Sequence, residues 1–167
     1  MNAITTPRVA VLLPCYNEAA AIAQTVADFR AALPDATIYV YDNNSTDKTV
    51  EVAAAAGAIV RTERMQGKGN VVRRMFADVE ADIYVMADGD ATYEAAAAPG
   101  LIDLLVSDQL DMVVGARKSE VEAAYRRGHR LGNAMLTADA IGTLAREFAG
   151  ETIELRDGRV ESRERVR

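Results

Sequence analysis

Ala81-Asp82-Ile83-Tyr84-Val85-Met86-Ala87-Asp88-Gly89-Asp90-Ala91-Thr92-Tyr93 is the stretch on which the reading of this chain turns. Ile83 to Ala87 is a short apolar run rich in β-formers, and it stops abruptly at Asp88-Gly89-Asp90. Such a run reads as a buried parallel strand of an α/β sheet, whose carboxyl end opens on the ligand crevice. Two carboxylates flanking a glycine at that edge suit a hard divalent cation. Mg2+ takes one or two protein carboxylates and leaves its other positions to water and phosphate oxygens. Turn chemistry explains the same residue types, because Asp-Gly after a strand can be solvated or can cap the next helix. The stretch leaves both readings open.

Upstream, apolar runs alternate with helical patterns. Val9 to Pro14 reads as a buried first strand that stops at Pro14, which cannot donate to a ladder. Asn17 then reads as an N-cap with Glu18 in the first turn, opening a helix to about Leu33 with Ile22, Val26, Phe29 and Leu33 on one face. Thr37 to Tyr41 is a second strand ending at Asp42, followed by a polar loop, Asn43-Asn44-Ser45-Thr46-Asp47, and a helix from Lys48 to Ala56. Ala58 to Val60 is a short third strand. Gly67-Lys68-Gly69-Asn70 reads as a flexible loop before a helix from Val71 to about Val79. Downstream, a helix runs from about Pro99 to Leu110, and Met112 to Val114 is a fifth strand. Strands alternating with helices predict a doubly wound, mostly parallel sheet with right-handed crossovers.

From Ser119 the pattern changes. Tyr125-Arg126-Arg127-Gly128-His129-Arg130 is a basic cluster, a helix is expected from about Leu131 to Phe148, and Thr152–Leu155 with Arg159–Glu161 reads as a hairpin about Asp157-Gly158. The last residues, alternating Arg and Glu, are expected to fray.

At 167 residues the chain is the size of one α/β domain, and its 50% hydrophobic content supports a substantial core. A net charge of −6 argues against a nucleic-acid partner. Cys15 is the only cysteine, so there is neither an internal disulfide nor a cysteine metal cluster, and its apolar neighbours mark it as a small buried strand-end residue. His129 is the only histidine, which removes a His-rich metal site. No apolar run is long enough for a signal peptide or membrane span, so the expected location is cytoplasmic.

Acidic or polar groups follow three strands: Tyr16-Asn17-Glu18, Asp42, and Asp88 with Asp90. In a doubly wound sheet these ends share one edge, so the groups can converge on one crevice. Pro14-Cys15-Tyr16-Asn17-Glu18, Asp42 to Asp47, Gly67-Lys68-Gly69 and Asp88-Gly89-Asp90 resemble, in order and spacing, the motifs of family 2 glycosyltransferases. Ala116-Arg117 and the segment from Arg126 to Asn133 resemble the branch that glycosylates polyprenyl phosphates, similar to dolichyl-phosphate mannose synthases.

The resemblance implies a GT-A-like, Rossmann-like fold and a nucleotide-sugar-binding domain over residues 1–137, with 138–167 as an atypical extension of helix plus hairpin. It implies a metal-dependent, inverting transfer of a sugar from a UDP- or GDP-sugar to an acceptor such as a polyprenyl phosphate. Pro14, Tyr16, Glu18 and Asp42 would hold base and ribose, with Lys68 near the nucleotide. Asp88 and Asp90 would bind Mg2+ or Mn2+ and the diphosphate, Asp90 as the firmer ligand. Arg117 and Arg130 would hold the acceptor phosphate, with Arg127 as companion. Asp90, Arg117 and Arg130 would thus be the catalytic set.

After about Leu136 the motif pattern is lost, and Glu154-Leu155-Arg156-Asp157-Gly158-Arg159-Val160 has no counterpart in it. The expectation is a truncated, fused or frame-altered form that keeps the donor half. A homo-oligomer and peripheral contact with the inner face of a membrane are further expectations. Two other readings stand beside this one. One is a catalytically impaired nucleotide-sugar-binding or scaffold protein. The other is a haloacid-dehalogenase-type phosphatase with Asp88 as nucleophile and Asp90 as acid/base, although that motif normally ends a first strand and here three strand–helix units precede it.

Overall fold

The computed structural model describes residues 6–116 together with strands at 151–156 and 159–165. Two compact units form, Met1–Pro99 and Gly100–Arg167. The first is a four-stranded parallel sheet in the order β3-β2-β1-β4, built from β1 (Val9–Cys15), β2 (Thr37–Asp42), β3 (Ile59–Thr62) and β4 (Ile83–Met86). Between the strands run α1 (Ile22–Ala32), α2 (Thr49–Ala55) and α3 (Lys68–Asp78).

Alternation along β1 explains the layering. Val11, Leu13 and Cys15 pack with Ile22, Val26 and Phe29 of α1 and Ala53 of α2, while Ala10 and Leu12 pack with Val71 and Met75 of α3. Leu12 and Leu13 are both fully buried. Each such side chain contributes roughly 2–3 kcal/mol of burial free energy. A strand buried on both faces needs an unbroken apolar run, and Val9 to Leu13 supplies one.

Several sequence expectations shift. β1 does not stop at Pro14; it runs through it to Cys15, with Pro14 opposite Tyr41. The Leu12 carbonyl accepts from Ala87 N–H on the β4 side, so Pro14 faces the same side, where the β4 ladder has already ended. Its missing donor therefore costs no ladder bond. Asn17 is not the N-cap of α1; the cap falls four residues later, at Ala21, behind a turn closed on the Glu18 carbonyl. The N-terminal end of α3 lies at Lys68, so Gly67–Asn70 is no flexible loop. Gly67 sits at φ 122, a conformation that glycine alone adopts freely, and this turn lets the helix start early. β4 is the last strand of its sheet among the described residues, with Tyr84 and Met86 exposed, so it is buried on one face only.

A 3-10 turn at Ala95–Ala97 ends the first unit, and α4 (Ala98–Ser107) runs across the boundary into the second. Met112–Val114 is not a strand; the strand is β5 (Gly115–Ala116), paired in parallel with β6 (Glu151–Arg156). β6 pairs antiparallel with β7 (Arg159–Arg165), so the hairpin expected there forms. Ladder pairing continues to Arg165 where fraying was expected. The helix expected over 131–148 and the domain boundary expected at 137 lie outside the described residues.

Candidate active site at the carboxyl edge of the sheet

Parallel pairing puts the carboxyl ends of β1, β2 and β4 at one edge, and the loops that follow them carry the polar groups. Two of those loops are stitched together. Asn17 N–H donates to Ser45 Oγ at 2.8 Å, Glu18 N–H to Thr49 Oγ1 at 2.8 Å and Ala19 N–H to Asp47 Oδ2 at 3.1 Å, while Thr46 N–H donates to Asn17 Oδ1 at 2.8 Å. The residues after β1 therefore spend their backbone donors on the side chains after β2. This holds Tyr16 and Glu18 in place without a helix of their own.

Asp88-Gly89-Asp90 is fixed just as tightly. Gly89 lies so close to β1 that a Cβ there would stand 2.4 Å from Cys15 Sγ and 3.3 Å from Ile22 Cδ1. Its carbonyl accepts from the buried Thr25 hydroxyl of α1 at 3.1 Å. Asp90 Oδ1 accepts from Thr92 N–H at 3.0 Å and from the Thr92 hydroxyl at 2.6 Å, an Asx turn of the sort the residue types suggested. The turn leaves its other oxygen out of these bonds, so the turn and metal readings are compatible. Asp88 is paired with the ammonium of Lys68 from the first turn of α3.

Electrostatics agree with the convergence. Burial first, then the charges of Glu18, Asp42, Asp88 and Asp90, push the Cys15 thiol up to about 12. Partial burial, then Asp90, Asp88 and Asp47, raises the Glu18 carboxyl above its ordinary value. The charges of four carboxylates are thus felt at one buried sulfur, and like charges brought to one edge favour a cation there. Backbone strain collects here too. Asn17, Asn44 and Ala91, in the loops after β1, β2 and β4, have φ of 57°, 66° and 58°. Non-glycine residues held in that region cost on the order of 1–3 kcal/mol each and cluster at functional sites.

The expected site residues divide as follows. Tyr16 is exposed, Pro14 is buried in β1, and Asp42 is buried with its carboxylate accepting Ser45 N–H at 3.2 Å. Glu18, Asp42, Asp88, Asp90 and Lys68 gather at one edge. Arg117, Arg127 and Arg130 lie outside the described residues. Among the described residues no three His, Cys, Asp or Glu side chains form a cage for an ion. A hard cation here would draw the rest of its shell from diphosphate oxygens and water, which is how Mg2+ is ordinarily held. The all-oxygen donor pair Asp88 and Asp90 fits such an ion.

Sequence reasoning missed Asn43, Thr25 and Thr49, all buried and all bonded at this edge. The run Asn43 to Asp47 carried the one usable signal, since asparagine tolerates positive φ better than other non-glycine residues. Cys15 supplies a direct check of the electrostatic picture. Alkylation of the native protein by iodoacetamide at pH 8 should be slowed roughly a thousandfold relative to the urea-unfolded chain, because so little thiolate is present. Mass spectrometry reads the adduct; native labelling at the unfolded rate would sink that picture.

The profile of glycosyl transferase family 2 matches residues 10–157. Protein RfbJ of Shigella flexneri is 57% identical over 123 residues, which are 73% of this chain and 95% of that protein. The dolichyl-phosphate hexose transferase of Haloferax volcanii is 30% identical over 153 residues, 92% of this chain and 64% of its own length. Glucosyl-3-phosphoglycerate synthase of Mycobacterium tuberculosis, solved in complex with Mn2+, UDP-glucose and phosphoglyceric acid, superposes with a TM-score of 0.61 at 26% identity. That match covers 78% of this chain and 50% of the solved one, so the present chain spans half the length of that enzyme.

Proposed function

The chain belongs to glycosyl transferase family 2, and from that premise we propose that it binds a nucleoside-diphosphate sugar at the carboxyl edge of the β3-β2-β1-β4 sheet and transfers the sugar, with inversion, to a polyprenyl phosphate. The observation that carries the donor site is that parallel pairing brings the ends of β1, β2 and β4, with Glu18, Asp42, Asp88 and Asp90 on or just after them, to one edge, where Lys68 pairs with Asp88. The solved relative with Mn2+ and UDP-glucose supports a divalent cation and a uridine base. The dolichyl-phosphate relative supports a lipid phosphate as acceptor.

Each residue then has a task. Tyr16 and Glu18, on a loop stitched to the one after β2, and Asp42, at the end of β2, hold base and ribose, and Pro14 stiffens the strand end beneath them. Lys68 lies beside Asp88 and faces the diphosphate. Asp88 and Asp90 would hold Mg2+ or Mn2+, which when bound would supply charge stabilisation to the departing nucleoside diphosphate. An acceptor phosphate is already anionic near neutral pH, so the protein need not remove a proton from it. Positioning suffices, and Arg117, Arg127 and Arg130 are suited to it because a guanidinium binds phosphate oxygens in pairs. No helix among the described residues is long and apolar enough to cross a membrane.

Calorimetric titration with UDP and then GDP, with and without Mn2+, tests the donor site. Metal-dependent binding of UDP is the expected result, and binding of GDP alone would change the base. If neither binds under either condition, the donor-site reading falls. Transfer of labelled sugar to a polyprenyl phosphate separates an enzyme from a binding scaffold, which would bind nucleotide without turnover.

A further inference from the structure

The connection from β3 to α3 is held along its whole length by hydrogen bonds, and two adjacent asparagine side chains do most of the holding. Asn43, buried at the end of β2, donates from Nδ2 to the Glu63 carbonyl at 2.8 Å and to the Met65 carbonyl at 2.9 Å. Its Oδ1 accepts from Gly67 N–H at 2.7 Å. Asn44 donates from Nδ2 to the Arg64 carbonyl and to Gln66 Oε1, both at 3.0 Å. Asn70 Nδ2 donates to the Gln66 carbonyl at 3.1 Å, and Asn70 N–H donates to the Gly67 carbonyl at 3.0 Å. Every carbonyl from Glu63 to Gly67 is therefore occupied. The next residue is Lys68, whose ammonium meets Asp88.

Asn43 N–H donates to the Cys15 carbonyl at 2.9 Å, so the same residue is anchored to β1 beneath the carboxylates. We propose that Asn43 and Asn44 form a positioning clamp that sets Lys68 against Asp88, and through that pair tunes the grip of the site on a metal–diphosphate. The last clause rests on the donor-site reading above; the placement of Lys68 does not. An amide is required at position 43. A carboxylate would keep the acceptor for Gly67 N–H but lose both donors, orphaning two carbonyls and adding negative charge to an acidic edge.

Asn43→Asp is accordingly the probe, alone and combined with Lys68→Met. Groups that orient a metal ligand are typically worth ten- to a hundredfold in affinity. Asn43→Asp should weaken Mn2+-dependent UDP or GDP binding by about tenfold in the parent and by far less in the Lys68→Met background, where only the added charge remains to act. An equal loss in both backgrounds, or no loss in the parent, would overturn the clamp. A second readout needs no nucleotide: acetylation of Lys68 relative to Lys48, resolved by peptide mass spectrometry. Asn43→Asp should accelerate Lys68 and not Lys48; an unchanged ratio overturns the placement even if no nucleotide binds at all, the result that would sink the donor-site reading instead. If Asn43→Asp does not melt cooperatively, Asn44→Gly carries the same comparisons, since it removes the outer bonds at an exposed residue whose φ of 66° glycine accepts freely.

Discussion

Asp90→Asn is expected to abolish measurable Mn2+-dependent binding of the nucleoside diphosphate, a loss on the order of a hundredfold or more, while the melting temperature stays near that of the parent. The choice of an amide matters. Asp90 Oδ1 accepts from Thr92 N–H, and the following Ala91 sits at φ 58°, so the carboxylate also closes a strained turn. An amide at this position would keep that acceptor and lose only the charge, whereas Asp90→Ala would lose both and confuse a metal effect with a turn effect. Outer-shell partners alone are worth about ten- to a hundredfold, so removing a ligand charge should exceed that range. The change should also be visible without metal. Asp90 stands second, after burial, among the causes that raise the Glu18 carboxyl, so Glu18 should titrate closer to its ordinary value in the variant. Calorimetry reads the first effect and NMR titration the second. Undiminished Mn2+-dependent binding by Asp90→Asn would remove the metal assignment.

Gly89→Ala has the largest expected effect on stability. Gly89 does not have a positive φ; its requirement is space, because a Cβ would stand 2.4 Å from Cys15 Sγ. Cys15 is 3% exposed and packed among Val11, Leu13 and Ile22, so its sulfur has little room to yield. Overpacking of this kind costs about 1–3 kcal/mol, or roughly 2–10 °C of melting temperature for a chain of this size. The partner variant is Cys15→Ala. It removes the obstructing atom and leaves the Cβ of residue 15 at 3.7 Å from the new methyl, an ordinary contact. Gly89→Ala in the Cys15→Ala background should therefore cost far less than in the parent, with a coupling of about 1–3 kcal/mol in the double-mutant cycle. Parallel losses in the two backgrounds would mean that the steric account is wrong. The same cycle bears on function, since a displaced residue 89 moves both flanking aspartates.

Much of the first unit was legible in the sequence because its signals are local. Val9 to Leu13, Thr37 to Tyr41 and Ile83 to Ala87 are apolar or β-branched runs between helical patterns, and that alternation forces a parallel sheet. The carboxylates after the strands followed from the same logic, because strands running one way bring their ends to one edge. The motif reading lost the family pattern after Leu136, yet the profile match continues to residue 157.

What residue order could not decide was where each polar group would find its partner. Asn17 looked like a helix cap and instead ties two loops together, because the residue that needs its Oδ1 is Thr46, brought near by strand pairing. Gly67 to Asn70 looked flexible because glycine and asparagine are common in loops; the side chain of Asn43, more than twenty residues earlier, holds it rigid. Met112 to Val114 looked like a fifth strand, and the pairing falls on Gly115–Ala116 with a segment near the far end of the chain. Sequence by itself determined the family, the alternating architecture and the acidic edge, since each depends on periodicity and on residue types within a few positions. Tertiary structure alone decided the register of the loops, the need for glycine beside Cys15 and the pairing of Lys68 with Asp88. A hydrogen bond or a steric contact depends on distances between residues far apart in the chain, and only the fold sets those.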